Sequence, residues 1–445
     1  MSNSPNGWIR ASIQSRLESE FPGEWGVEPV FRSDNARVLR ATDLDADGHI
    51  DYESAARRRV SSASLGKKQL RDGDLVLEAA GGGPGKPVGH VGVFCSPDSQ
   101  VYLTSNFFRT LRPNDTVLPR YLWWRLVYLI QEPRIWAYQQ QTTGITNLKV
   151  AEYLSQQLDW PPLPEQRGIT NVLDSTDDAI LKTESLIAKL KDIKQGLLHD
   201  LLTRGLDENG ELRDSYVHPE RFADVSLGRI PKDWDTRPLE TVSQIANGIT
   251  LGRQVGEANS LEVPYLRVAN LQEGRVDLSE IKTIRIFRGE MDRFLLQAGD
   301  VLLTEGGDFD KLGRGAVWDG QINPCAYQNH IFRVRTDSQV LLPKFLAAIL
   351  MVSYGKRYFL RHAKQTTSIA SINRTELGRF PVPCPGLKEQ ERIIAAFEEH
   401  ESRIAEEMAY LMKLKSIKRG LMQDLLTGRV RVKAVPEMAK AEKER

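Results

Sequence analysis

Two glycine-rich stretches carry the residue types most suited to chemistry in this chain. Ala80-Gly81-Gly82-Gly83-Pro84-Gly85-Lys86-Pro87 sets bare backbone beside a lysine, a combination that can cradle phosphates. It departs from the nucleotide phosphate loop, because the first glycine of that motif is Ala80 and Pro87 stands where its metal-binding Ser or Thr belongs. The second stretch, Gly306 to Arg314, offers Gly306, Gly307, Lys311 and Arg314 in the same sense. Bare backbone beside Lys86, Lys311 and Arg314 suits close approach to a polyanion, although a plain hairpin turn accounts for the same glycines. Between Gln339 and Thr375 no acidic residue occurs, while Lys344, Lys356, Arg357, Arg361, Lys364 and Arg374 do. Such a stripe is what phosphate contact needs, and it is equally the pattern of a solvated helix face.

Catalytic patterns are incomplete. Asn323-Pro324-Cys325-Ala326 approaches the Asn-Pro-Pro-aromatic motif of amino-methyltransferases, but Cys325 and Ala326 replace its last two residues and no glycine-rich cofactor loop precedes it. Asp277 with Glu280-Ile281-Lys282 has the residue types of a nuclease cluster at too short a spacing. There is no His-Glu-x-x-His, no Gly-x-Ser-x-Gly and no Cys-x-x-Cys. The chain reads as non-catalytic, with no cofactor or metal of its own.

Elements must position these residues, and 445 residues imply more than one domain. Hydrophobic residues at 40% and charged residues at 27% fit a soluble globular protein. No apolar run approaches the roughly 20 residues of a membrane span, and Met1 to Arg16 has no signal-peptide core. Three scattered cysteines make no disulfide framework, so a reducing cytoplasm is expected. A net charge of +1 gives no argument for nucleic acid by itself.

Organisation supplies that argument. Gln141-Thr142-Thr143 recurs as Gln365-Thr366-Thr367, and Lys189-Leu190-Lys191-x-Ile193-Lys194-x-Gly196-Leu197 recurs from Lys413 to Leu421, each pair 224 residues apart. Pro161-x-Leu163-x-Glu165-Gln166 matches Pro385-x-Leu387-x-Glu389-Gln390, and Asp200 to Thr203 matches Asp424 to Thr427. Upstream, Leu39 to Leu44 echoes Leu266 to Leu271, and Gly73-Asp74-Leu75-Val76-Leu77 echoes Gly299-Asp300-Val301-Leu302-Leu303. The chain is a tandem duplication.

From Glu165, apolar and small positions at 173, 176, 180, 183, 187, 190, 194, 197 and 201 alternate steps of three and four, a heptad seam. The second seam runs Phe397, His400, Ile404, Glu407, Leu411, Leu414, Lys418, Leu421 and Leu425. Ile180, Ile187, Leu190, Leu197 and Leu201 are expected to pair with Ile404, Leu411, Leu414, Leu421 and Leu425, the helices running antiparallel. Gly196 and Gly420 suggest close backbone approach. Short β-rich runs at 74–77, 91–94, 301–303 and 331–334, separated by turn residues, argue for mixed α/β units. Each unit ends with one apolar helix, Tyr121 to Ile130 and Lys344 to Arg361.

The expected fold is α/β (α+β): two mixed units alternating with two long helices that pair as an antiparallel coiled coil, a pseudo-two-fold internal duplication. The expected divisions are 1–160 for the first unit, 161–205 for its helix, 206–225 for a linker, 226–385 for the second unit, 386–430 for the second helix and 431–445 for a tail.

Two variable units, each followed by Pro-x-Leu-x-Glu-Gln and a helix ending Lys-x-Gly-Leu-x-x-Asp-Leu-Leu-Thr, resemble the DNA specificity subunit of type I restriction-modification systems. Leu163 to Arg167, Ile230 to Trp234 and the doubled Gly-Asp motif carry the resemblance. The sequence departs at its amino end, where no Ile-Pro-x-x-Trp segment precedes the first unit. The resemblance implies target-recognition domains that read a bipartite double-stranded DNA site, with helices that set its spacing and dock two modification (methyltransferase) subunits. Those partners would hold S-adenosylmethionine and methylate DNA. Restriction subunits would add ATP and Mg for translocation and cleavage. Candidate DNA contacts are Arg40, Gly82, Gly83, Lys86, Gln141, Thr142 and Thr143 in the first half. In the second they are Arg267, Gly306, Gly307, Lys311, Arg314, Lys356, Arg357, Arg361, Lys364, Gln365, Thr366 and Thr367. The competing readings are an autonomous recognition-plus-methylation or cleavage enzyme, which would need the missing motifs, and a coiled-coil protein scaffold, which would not need two diverged α/β units.

Overall fold

The computed structural model describes residues 5–29, 34–82, 85–142, 144–225, 228–307, 312–365 and 370–432. It divides into two compact units. One takes the chain up to Glu184 together with Ala409 onward, and the other takes Ser185–Met408. Each long helix, Leu163–Thr203 and Leu387–Leu426, therefore contributes one half to each unit.

The units match strand for strand. In the first, a four-stranded antiparallel sheet runs in the order Leu17–Pro22, Phe108–Pro113, Leu75–Glu78, Val91–Val93. In the second the order is Ser243–Asn247, Ile331–Thr336, Val301–Thr304, Gly315–Val317, again antiparallel. A three-stranded sheet beside it has one antiparallel and one parallel neighbour in both units: Ala36–Leu39 between Ala56–Arg58 and Tyr102–Thr104, and Ser260–Leu266 between Lys282–Phe287 and Ala326–Tyr327. The central runs Leu75-Val76-Leu77 and Val301-Leu302-Leu303 are apolar without alternation because both of their faces are buried. Pro119–Gln131 buries Tyr121, Trp123 and Trp124 in the first core, and Pro343–Met351 buries Phe345, Leu346 and Ile349 in the second.

The expected single helix from Lys344 to Arg361 is two helices, Pro343–Met351 and Ser353–His362, broken at Val352, whose backbone is extended with ψ 169°. The break turns the second helix back so tightly that a side chain at Gly355 would meet the Leu350 carbonyl oxygen at 2.5 Å. The segment from Leu206 to Trp234 is built into the second unit: Leu206, Ile230 and Trp234 join its core, and Phe222–Val225 pairs with Gly228–Pro231.

Within each unit the helix halves run antiparallel. In the first, Glu184 pairs with Lys415 at 2.6 Å and Asp177 with Lys418, so residue numbers fall along one helix as they rise along the other. In the second, Lys194 pairs with Glu401 and lies 5.1 Å over the Phe397 ring. None of the eighteen seam positions is exposed. Gly196 and Gly420 do not mark close approach: a Cβ at either would find nothing within 4 Å, since both sit away from the seam.

Each helix begins with the same buried latch. Gln166 Oε1 accepts from Leu118 N at 2.8 Å, while its Nε2 donates to the carbonyls of Thr116 at 3.1 Å and Pro161 at 2.9 Å. Gln390 repeats this with Leu342 N, Val340 O and Pro385 O, each at 2.8 Å. The preceding glutamates are also matched. Glu165 accepts from Trp8 Nε1 at 3.0 Å and from Arg431 through two bonds of 2.7 Å. Glu389 accepts from Trp234 Nε1 at 3.3 Å, Leu206 N at 2.9 Å and Arg213 at 2.5 and 3.1 Å. Burial pushes the Glu165 carboxyl up, but the Arg431 and Trp8 bonds outweigh it and hold the carboxyl below its ordinary value.

Trp8 also supplies the lead segment that the first unit lacked. Pro5-x-x-Trp8 makes the turn of Pro231-x-x-Trp234, with Trp8 N 2.9 Å from Pro5 O and Trp234 N 3.2 Å from Pro231 O.

Replacing Gln166 by leucine would strand one buried N–H and two carbonyls, and leaving a buried polar group unpaired costs about 1–3 kcal/mol. We expect Gln166→Leu and Gln390→Leu each to destabilise the full chain by about 2–4 kcal/mol in denaturant titration. A loss under about 0.5 kcal/mol, the size of an ordinary surface change, would contradict the latch.

Candidate nucleic-acid interface

A buried ion pair starts each central strand. Gly73 and Gly299 adopt φ of 87° and 93°, which only glycine takes without strain, and so turn Asp74 and Asp300 inward. Asp74 receives Arg112 through bonds of 2.8 and 2.7 Å, and Asp300 receives Arg335 at 2.7 and 2.8 Å. The side-chain bond to Asp74 raises the Arg112 pKa, and that to Asp300 raises Arg335. The Gly-Asp motif is therefore a strand anchor, clamping the central strand to its neighbour.

The other end of each central strand runs into the glycine stretch, and there the expected residues meet. Ala80–Gly81 pairs with Ile145–Leu148, which pairs with Gln139–Thr142. Gly306–Gly307 pairs with Ala370–Ser371, which pairs with Lys364–Gln365. The glycine stretch and the Gln-Thr-Thr segment, far apart in sequence, thus form one small sheet in each unit. A second tie secures it: Leu148 N donates to Ala79 O at 2.8 Å, and Ile372 N to Glu305 O at 2.9 Å. Gly82, Lys86 and Gln141 are exposed beside the first of these sheets, and Lys364 lies in the second. Gly83, Thr143, Lys311, Thr366 and Thr367 lie outside the described residues, as do the side chains of Thr142 and Gln365.

The arginines divide into two groups. Arg40 is turned onto Asp43, with NH2 to Oδ1 at 2.9 Å and Nε to Oδ1 at 3.1 Å, and onto the Ser54 carbonyl. Arg267 is held by the carbonyl and carboxylate of Glu280, both at 3.1 Å. Both guanidiniums brace turns. Arg314 donates to Gln272 Oε1 at 3.3 Å, and Lys356 pairs with Glu273 at 2.7 Å. Arg357 and Arg361 are exposed and have no ion pair among the described residues. They line a groove of about 680 Å³ with Tyr358, His362, Glu376 and Arg379. Sequence reading missed Arg379, which joins that groove across the fold. The corresponding positions of the first unit are Pro133, Ala137 and Ser155, so none of these three arginines is repeated there.

Among the described residues no group of three or more His, Cys, Asp or Glu is placed to hold a metal, and no helix is long and apolar enough to cross a membrane.

The fold and these sheets define a duplicated two-unit α/β protein built on a pair of antiparallel helices. Residues 231–415 match the family described as the type I restriction modification DNA specificity domain. The putative type I restriction enzyme MjaX specificity subunit of Methanocaldococcus jannaschii is 24% identical over 214 residues, 48% of this chain and 50% of that protein. The type I restriction enzyme MjaVIII specificity subunit of the same organism is 24% identical over 298 residues, 66% of this chain and 67% of that protein. The match thus spans about half the length of the first relative and two thirds of the second. A chain solved in work on complex assembly and conformational transition of the type I R-M system shares the fold, with a TM-score of 0.58 at 16% identity over 97% of this chain and 100% of that one. Residues 231–415 are thus similar to that DNA specificity domain, and the chain shares its fold with the solved type I R-M chain.

Proposed function

We propose that the chain reads a bipartite double-stranded DNA target, one half-site per unit, without catalysing a reaction. The supporting observation is the repeated small sheet, in which a shared frame sets a hairpin strand that keeps Gln-Thr-Thr in both copies beside a glycine stretch whose side chains differ between them. A shared frame gives both units one way of approaching a duplex, and different side chains give each its own bases. Gly82, Lys86, Gln141 and Thr142, and in the second unit Gly306, Gly307, Arg314, Lys364 and Gln365, are the proposed near contacts. Lys356, Arg357 and Arg361 are proposed as phosphate contacts. The paired helices would set the half-site separation and dock two modification subunits, which would bind S-adenosylmethionine. Restriction subunits would supply ATP-driven translocation and cleavage. The setting is the cytoplasm.

Exchanging residues 226–385 for the corresponding segment of a relative is the direct test, read by methylation mapping with the modification partners. One half of the recognised site should change and the other persist; a hybrid altered in both halves would contradict separate reading.

Replacing Lys356, Arg357 and Arg361 with alanine should weaken binding to duplexes of every sequence. It should also lower the slope of log K against log salt by about 0.9 for each phosphate that is no longer neutralised. An unchanged slope would make the stripe a solvated face.

One extra heptad between Thr183 and Leu190 keeps the seam in phase and adds about 10.5 Å of helix, or roughly three base pairs. The half-sites should keep their sequences while the unspecified spacer grows by about one to three base pairs, the partner helix absorbing part of the overhang. An unchanged spacer with full activity would show that the helices do not set the distance.

A further inference from the structure

A glutamate at the end of each central strand is paired with a histidine. Glu78 Oε2 lies 2.9 Å from His90 Nδ1, and Glu305 Oε2 lies 2.9 Å from His330 Nδ1. The backbone fixes both pairs, because Glu78 N donates to His90 O at 2.8 Å and Glu305 N to His330 O at 3.0 Å. Side chains opposed across strands in this way are held in contact.

The pairs are not copies of one ancestral pair. His90 precedes Val91–Val93, one neighbour of its central strand, whereas His330 precedes Ile331–Thr336, the neighbour on the other side in its unit. At the place of His90 the second unit has Arg314, whose carbonyl accepts from Thr304 N; at the place of His330 the first unit has Phe107, whose carbonyl accepts from Ala79 N. The same two side chains meet from non-equivalent positions, each time at the edge of the glycine sheet. Gly81 is shaped by this neighbour, since a Cβ there would stand 2.9 Å from Glu78 Oε1.

An ionised carboxylate only accepts, so Nδ1 carries the proton that binds it. In the neutral ring, Nε2 is then a lone-pair acceptor with a fixed direction. No described residue bonds either Nε2, and the side chains of His90 and His330 are 33% and 59% exposed. In the major groove, a fixed single acceptor complements the exocyclic amino group of adenine or cytosine, and it meets only acceptors on guanine.

Resting on the DNA-reading function proposed above, the geometry points to His90 and His330 as specificity-determining residues. Each accepts at Nε2 from the exocyclic amino group of one base in its half-site, and Glu78 and Glu305 act as positioning residues that hold the ring through Nδ1.

The test is selection from random duplexes by the full chain assembled with its modification partners, comparing wild type with His90→Ala, His330→Ala, Glu78→Gln and Glu78→Ala. A single hydrogen bond is worth about threefold to tenfold in affinity. His90→Ala should lower the preference for an amino-bearing base at one position of the first half-site by that factor and leave the second half-site intact; His330→Ala should do the reverse. Glu78→Gln retains an oxygen for Nδ1–H and should keep the preference, while Glu78→Ala frees the ring and should lose it. Thermal unfolding matching wild type shows that the variants are folded; should His90→Ala fail there, Glu78→Ala carries the test. Unchanged preferences in folded variants, or a loss confined to a guanine, would overturn the inference while wild-type selection stands. A wild type that selects no sequence would instead overturn DNA reading itself.

Discussion

The structure depends on two buried glutamine amides. A helix of forty or so residues can direct a globular unit only if its first turn is held at a fixed angle to that unit, and the first-turn N–H groups have no intrahelical partner to hold them. Gln166 and Gln390 supply that hold by turning every amide group inward, onto the loop before the apolar helix and onto the proline carbonyl before the long one. The glutamate beside each extends the clamp to a tryptophan and to an arginine that follows the opposite helix, Arg431 for Glu165 and Arg213 for Glu389. Helix start, helix end and strand layer are thereby tied at one point in each unit. The small glycine sheet belongs to the same compact unit.

This explains what could be read from the sequence. Glu-Gln after Pro-x-Leu repeats intact because each atom of the latch has a partner, and any change strands several. The seams were legible because burial along a helix follows a period that side-chain type records. Gly-Asp was legible as a motif, but its work, anchoring the strand to Arg112 or Arg335, is not, because those arginines lie at unequal distances downstream. Trp8 was hidden because Ile-Pro-Lys-Asp-Trp becomes Ser-Pro-Asn-Gly-Trp, and only Pro-x-x-Trp is common to both. The glycines at 196 and 420 misled for a different reason: repetition records shared ancestry, and it does not require contact.

Divergence between the two copies is placed unevenly. The strand order, the Asp–Arg clamps and the latches coincide in both units, whereas the glycine sheets are flanked by different side chains. The second unit has three groove arginines where the first has Pro133, Ala137 and Ser155. Interior positions are coupled to many neighbours at near-crystalline packing, so they change together or not at all. Residues beyond the last strand bond are coupled to few, and they can vary without cost to the core.

The same logic accounts for the lysines in the seam. Lys194 and Lys418 are equivalent residues of the two copies, and burial lowers the Lys194 pKa. Each is received alike: Lys194 by Glu401 with its Nζ 5.1 Å over the Phe397 ring, Lys418 by Asp177 with its Nζ 5.1 Å over the Trp124 ring. Desolvating an ammonium favours neither helix pairing nor stability by itself. It penalises every other alignment, because a slip of one heptad would leave the ammonium without its acid and the acid without its base. An apolar seam of leucines would tolerate such a slip at little cost. For helices proposed to set the separation of two half-sites, a seam that admits one register serves better than a seam of greater strength.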